Sequence, residues 1–236
     1  MQSIFDLIGF GPTGWGPALL KGLLVTLQIS VGAFLVGLLI GLAAASAKIG
    51  GPRPLAMLAR GYTTLCRAVP ELLLILLLFY VGSMGLNQFF EWLGYGQVKL
   101  NGMMVAIAVL GLVQGAYASE IFRGAIQSIP YGQIEAARAY GMHGFGLFRR
   151  VTLPMMAPNA LAGMANLWVN LIKDSALISV VGTNELLYTA KQAAGSTRHY
   201  LTFYLTAAAL YYVLTVLSNL FAGYLERRFR RWIPAV

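Results

Sequence analysis

Charged side chains able to do chemistry are sparse in this chain of 236 residues, which carries eight acids and seventeen bases. Several of them stand close together. Arg67 and Glu71 are four residues apart, Glu120 and Arg123 are three apart, and Lys173 adjoins Asp174. Spacings of three and four put two side chains on one helical face, where opposite charges pair, so structural pairing is the first reading for Arg67–Glu71 and Glu120–Arg123. The competing reading is a binding role, because a charge held inside a membrane is costly and usually faces a protein interior or an aqueous path. On that reading Arg67, Glu71, Lys173 and Asp174 are candidates, with Gln114, Tyr117 and Ser119 as further polar groups. Tyr117 near a helix end defaults to packing or to the membrane interface. For a cationic ligand Glu71 is the first choice. Cys66 is the single cysteine and His143 and His199 are the only histidines, which excludes an intrachain disulfide and makes a metal centre improbable. No paired acids or activated nucleophile stand at useful spacing, so an intramembrane enzyme ranks far down.

The elements that must position these residues follow from composition. The chain is 58% hydrophobic and 11% charged, with a mean hydropathy of +0.70, against roughly 25% charged residues in an ordinary soluble domain. Five uncharged stretches, 22–47, 72–90, 100–119, 151–172 and 200–225, hold 19 to 26 residues each, and a bilayer core of about 30 Å needs about 20 helical residues. The expected fold is therefore an all-α membrane protein forming one domain over 1–236. Its five transmembrane helices are placed near 17–47, 55–86, 101–122, 151–173 and 200–225. With the N-terminus periplasmic and the C-terminus cytoplasmic, the inner side receives Lys48, Arg53, Arg60, Arg67, Arg123, Arg138, Arg149, Arg150, Arg227, Arg228, Arg230 and Arg231. Lys21, Lys99, Lys173, Lys191 and Arg198 fall outside. This is the positive-inside distribution, so the net charge of +9 describes topology and not a nucleic-acid patch. Residues 1–21 lack a basic n-region and a cleavage site, and the first helix is expected to be retained.

Pro70 lies inside the second span and predicts a kink. Pro154 and Pro158 should bend the start of the fourth. Gly37 with Gly41, and Gly111 with Gly115, have the spacing that lets helices approach closely, read here as packing within this subunit. Between the third and fourth spans, in a loop near 128–150, Ile134, Ala137 and Gly141 recur at helical spacing, and Gly141 is placed to end a short helix. Eight residues are marginal as a helix in water, so this one needs support from the membrane domain, a partner, or both.

Glu135-Ala136-Ala137, Gly141 and the distal Leu153-Pro154 resemble the EAA loop of ATP-binding-cassette importer permeases. Gly61-Tyr62-Thr63-Thr64-Leu65 with Arg67 and Val69-Pro70-Glu71, then Leu171 to Ser179, are similar to the polar amino acid permease family, most of all to Q-type subunits of histidine, lysine, arginine and ornithine importers and of opine importers. The resemblance covers about residues 16–231. It implies a type I importer permease fold whose Ile134–Gly141 helix couples to a cytoplasmic ATPase through Glu135, Ala136, Ala137, Gly141 and Pro154. The implied partners are a second permease subunit (an M-type heterodimer, or a homodimer), two ATPase subunits, a periplasmic substrate-binding protein and the amino acid itself.

The chain has no Gly-Lys dipeptide and hence no Walker A phosphate loop. The expectation is a translocating subunit with no cofactor of its own, ATP and Mg being held by the partner ATPases. Against this stands an autonomous carrier driven by an ion gradient, which would have no use for an EAA loop. The charge distribution supplies a test. Cysteines introduced near Arg53, Gly144 and Arg230 in a Cys66-free background should react only from the cytoplasm, and periplasmic labelling at any of the three would overturn the arrangement.

Overall fold

The computed structural model describes residues 4–96 and 101–230, without the side chains of residues 4, 5, 225, 226, 229 and 230. Lys99 and Arg231, counted in the charge distribution above, lie outside the described residues. In chain order the helices are α1 (Ile4–Ile8), α2 (Gly16–Gly50), α3 (Arg53–Ala68), α4 (Glu71–Trp92), α5 (Gly102–Gln127), α6 (Tyr131–Ala139), α7 (Gly144–Leu147), α8 (Leu153–Asp174), α9 (Leu186–Thr197) and α10 (Tyr200–Arg230). No strand occurs among the described residues. Five helical segments are long and apolar enough to cross a membrane: Gly16–Gly50, Glu71–Trp92, Gly102–Gln127, Gly144–Val181 and Tyr200–Tyr224.

The second span differs from the expected kinked helix over 55–86. Val69 (φ −90°, ψ 139°) and Pro70 (φ −52°, ψ 131°) are extended, so the chain breaks there and the membrane-crossing helix starts at Glu71. The reason is local. Proline removes a backbone donor and also pushes the preceding residue out of the helical region. What precedes the break, α3, is a separate amphipathic helix. It buries Ala56, Ala59, Thr63 and Cys66 on one face and leaves Met57, Leu58 and Leu65 exposed on the other.

The fourth span changes its winding just before Pro154, whereas Pro158 lies inside regular α-helix. Phe148–Thr152 is wound wider than an α-helix, with Leu153 N–H donating to the Phe148 carbonyl five residues back. The widened turn absorbs the donor missing at Pro154. At its far end α8 stops at Asp174 and tightens into a 3₁₀ turn over Ser175–Val181, which Gly182 ends in a left-handed conformation (φ 82°).

Packing centres on α5, the most buried of the spans. Lipid tails are as apolar as leucine, so helices in a bilayer associate through close van der Waals fit and polar bonds rather than by excluding water. The α2–α5 seam is of this kind. A Cβ on Gly37 would lie 3.3 Å from Gln114 Cβ and from the Gly111 carbonyl oxygen; one on Gly41 would lie 2.6 Å from Ala118 Cβ. From the other side, a Cβ on Gly111 would meet Val36 at 2.7 Å and one on Gly115 would meet Ile40 at 2.8 Å. The two small-residue pairs read from the sequence thus face each other inside this subunit. Gly32 opposite Ile107, Gly37 opposite Gln114 and Gly41 opposite Ala118 also show that α2 and α5 run parallel, as the first and third spans must.

A second fixed point was not legible in the sequence. Glu185, fully buried, caps α9 by accepting from the Leu187 N–H (2.9 Å) and the Tyr188 N–H (2.7 Å). It also accepts from Thr26 Oγ1 of α2 (3.3 Å) and the Tyr211 hydroxyl of α10 (2.6 Å). Burial pushes its carboxyl up, and these donated bonds pull it part of the way back. One carboxyl group thereby ties three helices together.

The seam predicts a contrast within one helix. Gly41→Leu should prevent accumulation of the protein in the membrane, because its side chain must enter space held by the Ala118 Cβ and backbone. Gly50→Leu, with nothing within 4 Å, should accumulate as wild type. Quantitative immunoblotting of membranes, with thermal melts of whatever can be extracted, reads both.

Candidate functional site

Midway along α5 the side chain of Gln114 is only 2% exposed, and it joins two carboxyl groups from different helices. Its Nε2 donates to Asp174 Oδ2 at 3.0 Å and to Glu71 Oε1 at 3.3 Å. Its own Oε1 is buried without a partner. Glu71 reaches this point because the Pro70 break makes it the first residue of α4, where the helix N-terminus favours a negative charge. Asp174 is the last α-helical residue before the chain tightens into the 3₁₀ turn over Ser175–Val181, and its carboxyl meets Glu71 at Gln114.

Tyr117, one turn further along α5, is half-buried against Cys66, Val113 and Ala116. It is close enough to Glu71, Arg67 and Asp174 to feel their charges. The structure thus gathers Glu71, Gln114, Tyr117 and Asp174 into one cluster. Arg67 and Lys173 are exposed beside it. Arg67 does not pair with Glu71, contrary to the pairing expected from their spacing, because the extended Val69–Pro70 step destroys the shared helical face. Glu120 and Arg123 do pair, Arg123 Nη2 to Glu120 Oε2 at 2.8 Å. Lys48 of α2 joins them at 2.7 Å from Glu120 Oε1. These two ion pairs, both on Glu120, are the ones present among the described residues. Ser119 accepts from Lys48 Nζ at 3.0 Å and so belongs to that network, not to the Gln114 cluster.

The cluster is rich in acceptors and short of donors. Glu71 and Asp174 also lie within hydrogen-bond reach of each other, so two carboxyl groups and an unpartnered amide oxygen share one amide nitrogen and one carboxyl proton, with no ion pair to either acid among the described residues. A carboxylate away from water needs a cation or several donors. A ligand bringing an ammonium or guanidinium group supplies both.

The other surface of interest is α6. Ile134 packs against a cluster of Ala125, Ile129, Met156 and Ala160, and Ala137 is buried. These two residues, three apart, anchor the helix to the bundle. Glu135 and Ala136 are exposed on the opposite side. The helix begins at Tyr131, three residues before Ile134, and closes as its glycine requires. Gly141 is left-handed (φ 77°), with Gly141 N–H donating to Arg138 O at 2.9 Å and Met142 N–H to Ala137 O at 3.1 Å. Pro154 is the second residue of α8 and shapes the return to the membrane. Three large aromatics around α6, Tyr131, Tyr140 and Phe145, are 69%, 86% and 74% exposed. They escaped the sequence reading, although aromatic residues flanking a helix that projects from the bundle are themselves a sign of a contact surface.

Residues 17–231 match the family described as the inner membrane component of binding-protein-dependent transport systems. The octopine transport system permease protein OccQ of Rhizobium meliloti is 42% identical over 218 residues, 91% of each chain. The histidine/lysine/arginine/ornithine transport system permease protein HisQ of Escherichia coli is 38% identical over 216 residues, 92% of this chain and 95% of that one. A solved structure described as an amino acid ABC transporter with histidines superposes with a TM-score of 0.76 at 31% identity, covering 91% of this chain and 95% of its own. The methionine transporter MetNI, at 21% identity and a TM-score of 0.74, shares the fold. With its helical spans, its projecting α6 and its polar centre, the chain belongs to the inner membrane components of binding-protein-dependent transport systems, as a permease subunit of an amino acid ABC importer.

Proposed function

We propose that the importer carries amino acids with a cationic side chain, of the arginine, ornithine, lysine or histidine type, across the bacterial inner membrane into the cytoplasm. The observation that carries this reading is the acceptor-rich cluster of Glu71, Gln114 and Asp174 in the middle of the bundle. The names of the relatives, which include permeases for histidine, lysine, arginine and ornithine, point the same way. A cationic head would bridge Glu71 and Asp174 and donate to Gln114 Oε1, while the Tyr117 ring walls one side. Opines are the alternative cargo, supported by the octopine and nopaline permeases among the relatives.

In this reading the N-terminus is periplasmic and the C-terminus cytoplasmic, so that α6 projects into the cytoplasm. Two ATPase subunits hold ATP and Mg, a second permease subunit of M type completes a heterodimer, and a periplasmic binding protein delivers the substrate. The exposed side of α6, with Glu135, Ala136, Tyr131 and Tyr140, seats on one ATPase. Ile134 and Ala137 pass the movement to the α5 and α8 ends on which they pack.

The substrate reading is tested by charge removal in the reconstituted transporter, with expression and subunit assembly held equal. Glu71→Gln and Asp174→Asn should each lower uptake of basic amino acids about tenfold, since a hydrogen bond to a charged group is worth about 1.5–3 kcal/mol. Uptake of neutral amino acids should change little. Arg67→Gln should leave the preference intact, because Arg67 is not Glu71's partner. Unchanged relative efficiency for basic and neutral substrates in both acid variants would remove the cluster from selectivity.

The coupling reading is tested at Gly141. Valine cannot adopt φ 77° without strain, so Gly141→Val should distort the end of α6 and release the ATPase or uncouple transport, while membrane accumulation stays normal. Copurification of the ATPase together with normal uptake would exclude a coupling role for this residue.

A further inference from the structure

At the end of the bundle that carries α6, the ends of α2 and α5 and the middle of α3 enclose a separate polar cavity of about 350 Å³, lined by Lys48, Arg60, Glu120, Arg123 and Gln127. Its charges do not balance. Glu120 is the only acid in the lining, and both of its oxygens are already taken: Oε1 by Lys48 Nζ at 2.7 Å and Oε2 by Arg123 Nε at 2.9 Å. Lys48, with a side chain only 3% exposed, is held further by Thr63 Oγ1 at 2.7 Å and Ser119 Oγ at 3.0 Å. Arg123 spends its Nη1 on Gln127 at 2.9 Å. The Arg60 guanidinium is exposed and makes no side-chain bond or ion pair among the described residues. Three cations thus surround one saturated carboxylate, leaving a net two positive charges, one of them carried by the free Arg60 guanidinium fork, around an open space.

We propose that this cavity binds the phosphate headgroup of an anionic phospholipid. A phosphate group carries the negative charge that the lining lacks and the paired oxygens that an arginine fork recognises. Position selects the lipid over a free anion. Lys48 lies two residues from the end of α2 and Gln127 is the last residue of α5, so the cavity opens where the helices leave the hydrocarbon layer, on the side with the excess of basic residues. Beside it on α3, Met57 and Leu58, less than one turn before Arg60, are 72% and 69% exposed. Exposed apolar side chains next to a free cation match a molecule with acyl chains below its headgroup. Permeation through the Gln114 cluster and docking on α6 use none of these five lining residues.

The test is lipid retention by the transporter, purified with its partner subunits and placed in nanodiscs of phosphatidylethanolamine with a fixed minority of phosphatidylglycerol. Native mass spectrometry reads the two lipids kept. Wild type should enrich phosphatidylglycerol, and Arg60→Gln should lower the enrichment about fivefold, the effect of removing one basic residue at a membrane surface. Arg60→Lys should retain most of it, and Arg149→Gln, exposed on the same side but outside the cavity, should match wild type. If Arg60→Gln fails to accumulate, Arg60→Met, which keeps an apolar stem, is read in the same way. Wild-type enrichment in the Arg60 variant would overturn the proposal. So would an equal loss in Arg149→Gln, the mark of diffuse attraction, or inorganic phosphate displacing the phosphatidylglycerol from wild type, the mark of a free-anion site.

Discussion

Everything in this subunit hangs on how closely α2 and α5 approach. In a bilayer there is no water to squeeze out from between two apolar helices, so contact must come from fit, and fit here means the absence of side chains at Gly37, Gly41, Gly111 and Gly115. The seam fixes the rotation of α5. With Gly111 and Gly115 turned to α2, Gln114 stands in the same seam opposite Gly37, and its amide reaches Glu71 of α4 and Asp174 of α8. The same rotation sets Ser119 and Glu120 under Lys48, two residues before α2 ends. A leucine at Gly37 would press on Gln114 and one at Gly41 on Ala118 and the Ser119 backbone, so the seam carries both the polar centre and the basic end.

Where the helices break matters as much as where they pack. The Val69–Pro70 step turns one long apolar pattern into two helices and sets Glu71 at a helix start, where its charge is tolerated. At the other acid the helix does not break but changes its winding, Asp174 being the last α-helical residue before the 3₁₀ turn over Ser175–Val181. Both points fall beside Gln114. Irregular backbone at membrane depth is tolerated where it lines a protein interior or an aqueous cavity, and here each change of winding stands next to one of the two acids. Stability explains the Glu185 knot, whose donors match its acceptors; it does not explain the Gln114 cluster, whose acceptors outnumber its donors. On the proposed reading, that imbalance is the physical difference between a structural polar group and one that takes a ligand.

The three polar centres also divide the labour of the molecule. The Glu185 knot locks α9 to α2 and α10, and the Lys48–Glu120–Arg123 network locks the basic end of the bundle. Between them the cluster on α5 is held by one amide and by the contact of Glu71 with Asp174. A transporter that alternates between two openings needs rigid ends and a centre whose bonds can be exchanged for those of the substrate, because binding energy can shift an equilibrium only where the two states differ in contacts. The anchored side of α6 continues from the rigid end, so movement imposed on it reaches α5 and α8 through packed side chains.

By itself the sequence determined whatever depends on local pattern and on the solvent. Five uncharged stretches long enough to cross a bilayer, the one-sided distribution of basic residues, the glycine pairs and the α6 helix with its closing Gly141 were all legible, since each needs only neighbours within a turn or two. Glu71, Gln114, Tyr117 and Asp174 were legible as isolated polar groups, because a polar residue in an apolar stretch stands out. Tertiary structure alone decided which of them meet. Arg67 and Glu71 have the spacing of a pair and do not pair, since one extended step rotates them apart. Gln114 and Asp174 are sixty residues apart and share a hydrogen bond. Glu185 gives no sign in the sequence of being buried, and Lys48 gives none of being drawn to Glu120. Spacing along the chain reports contacts only while a helix continues; past a break or between helices, contact is set by how the helices pack against one another.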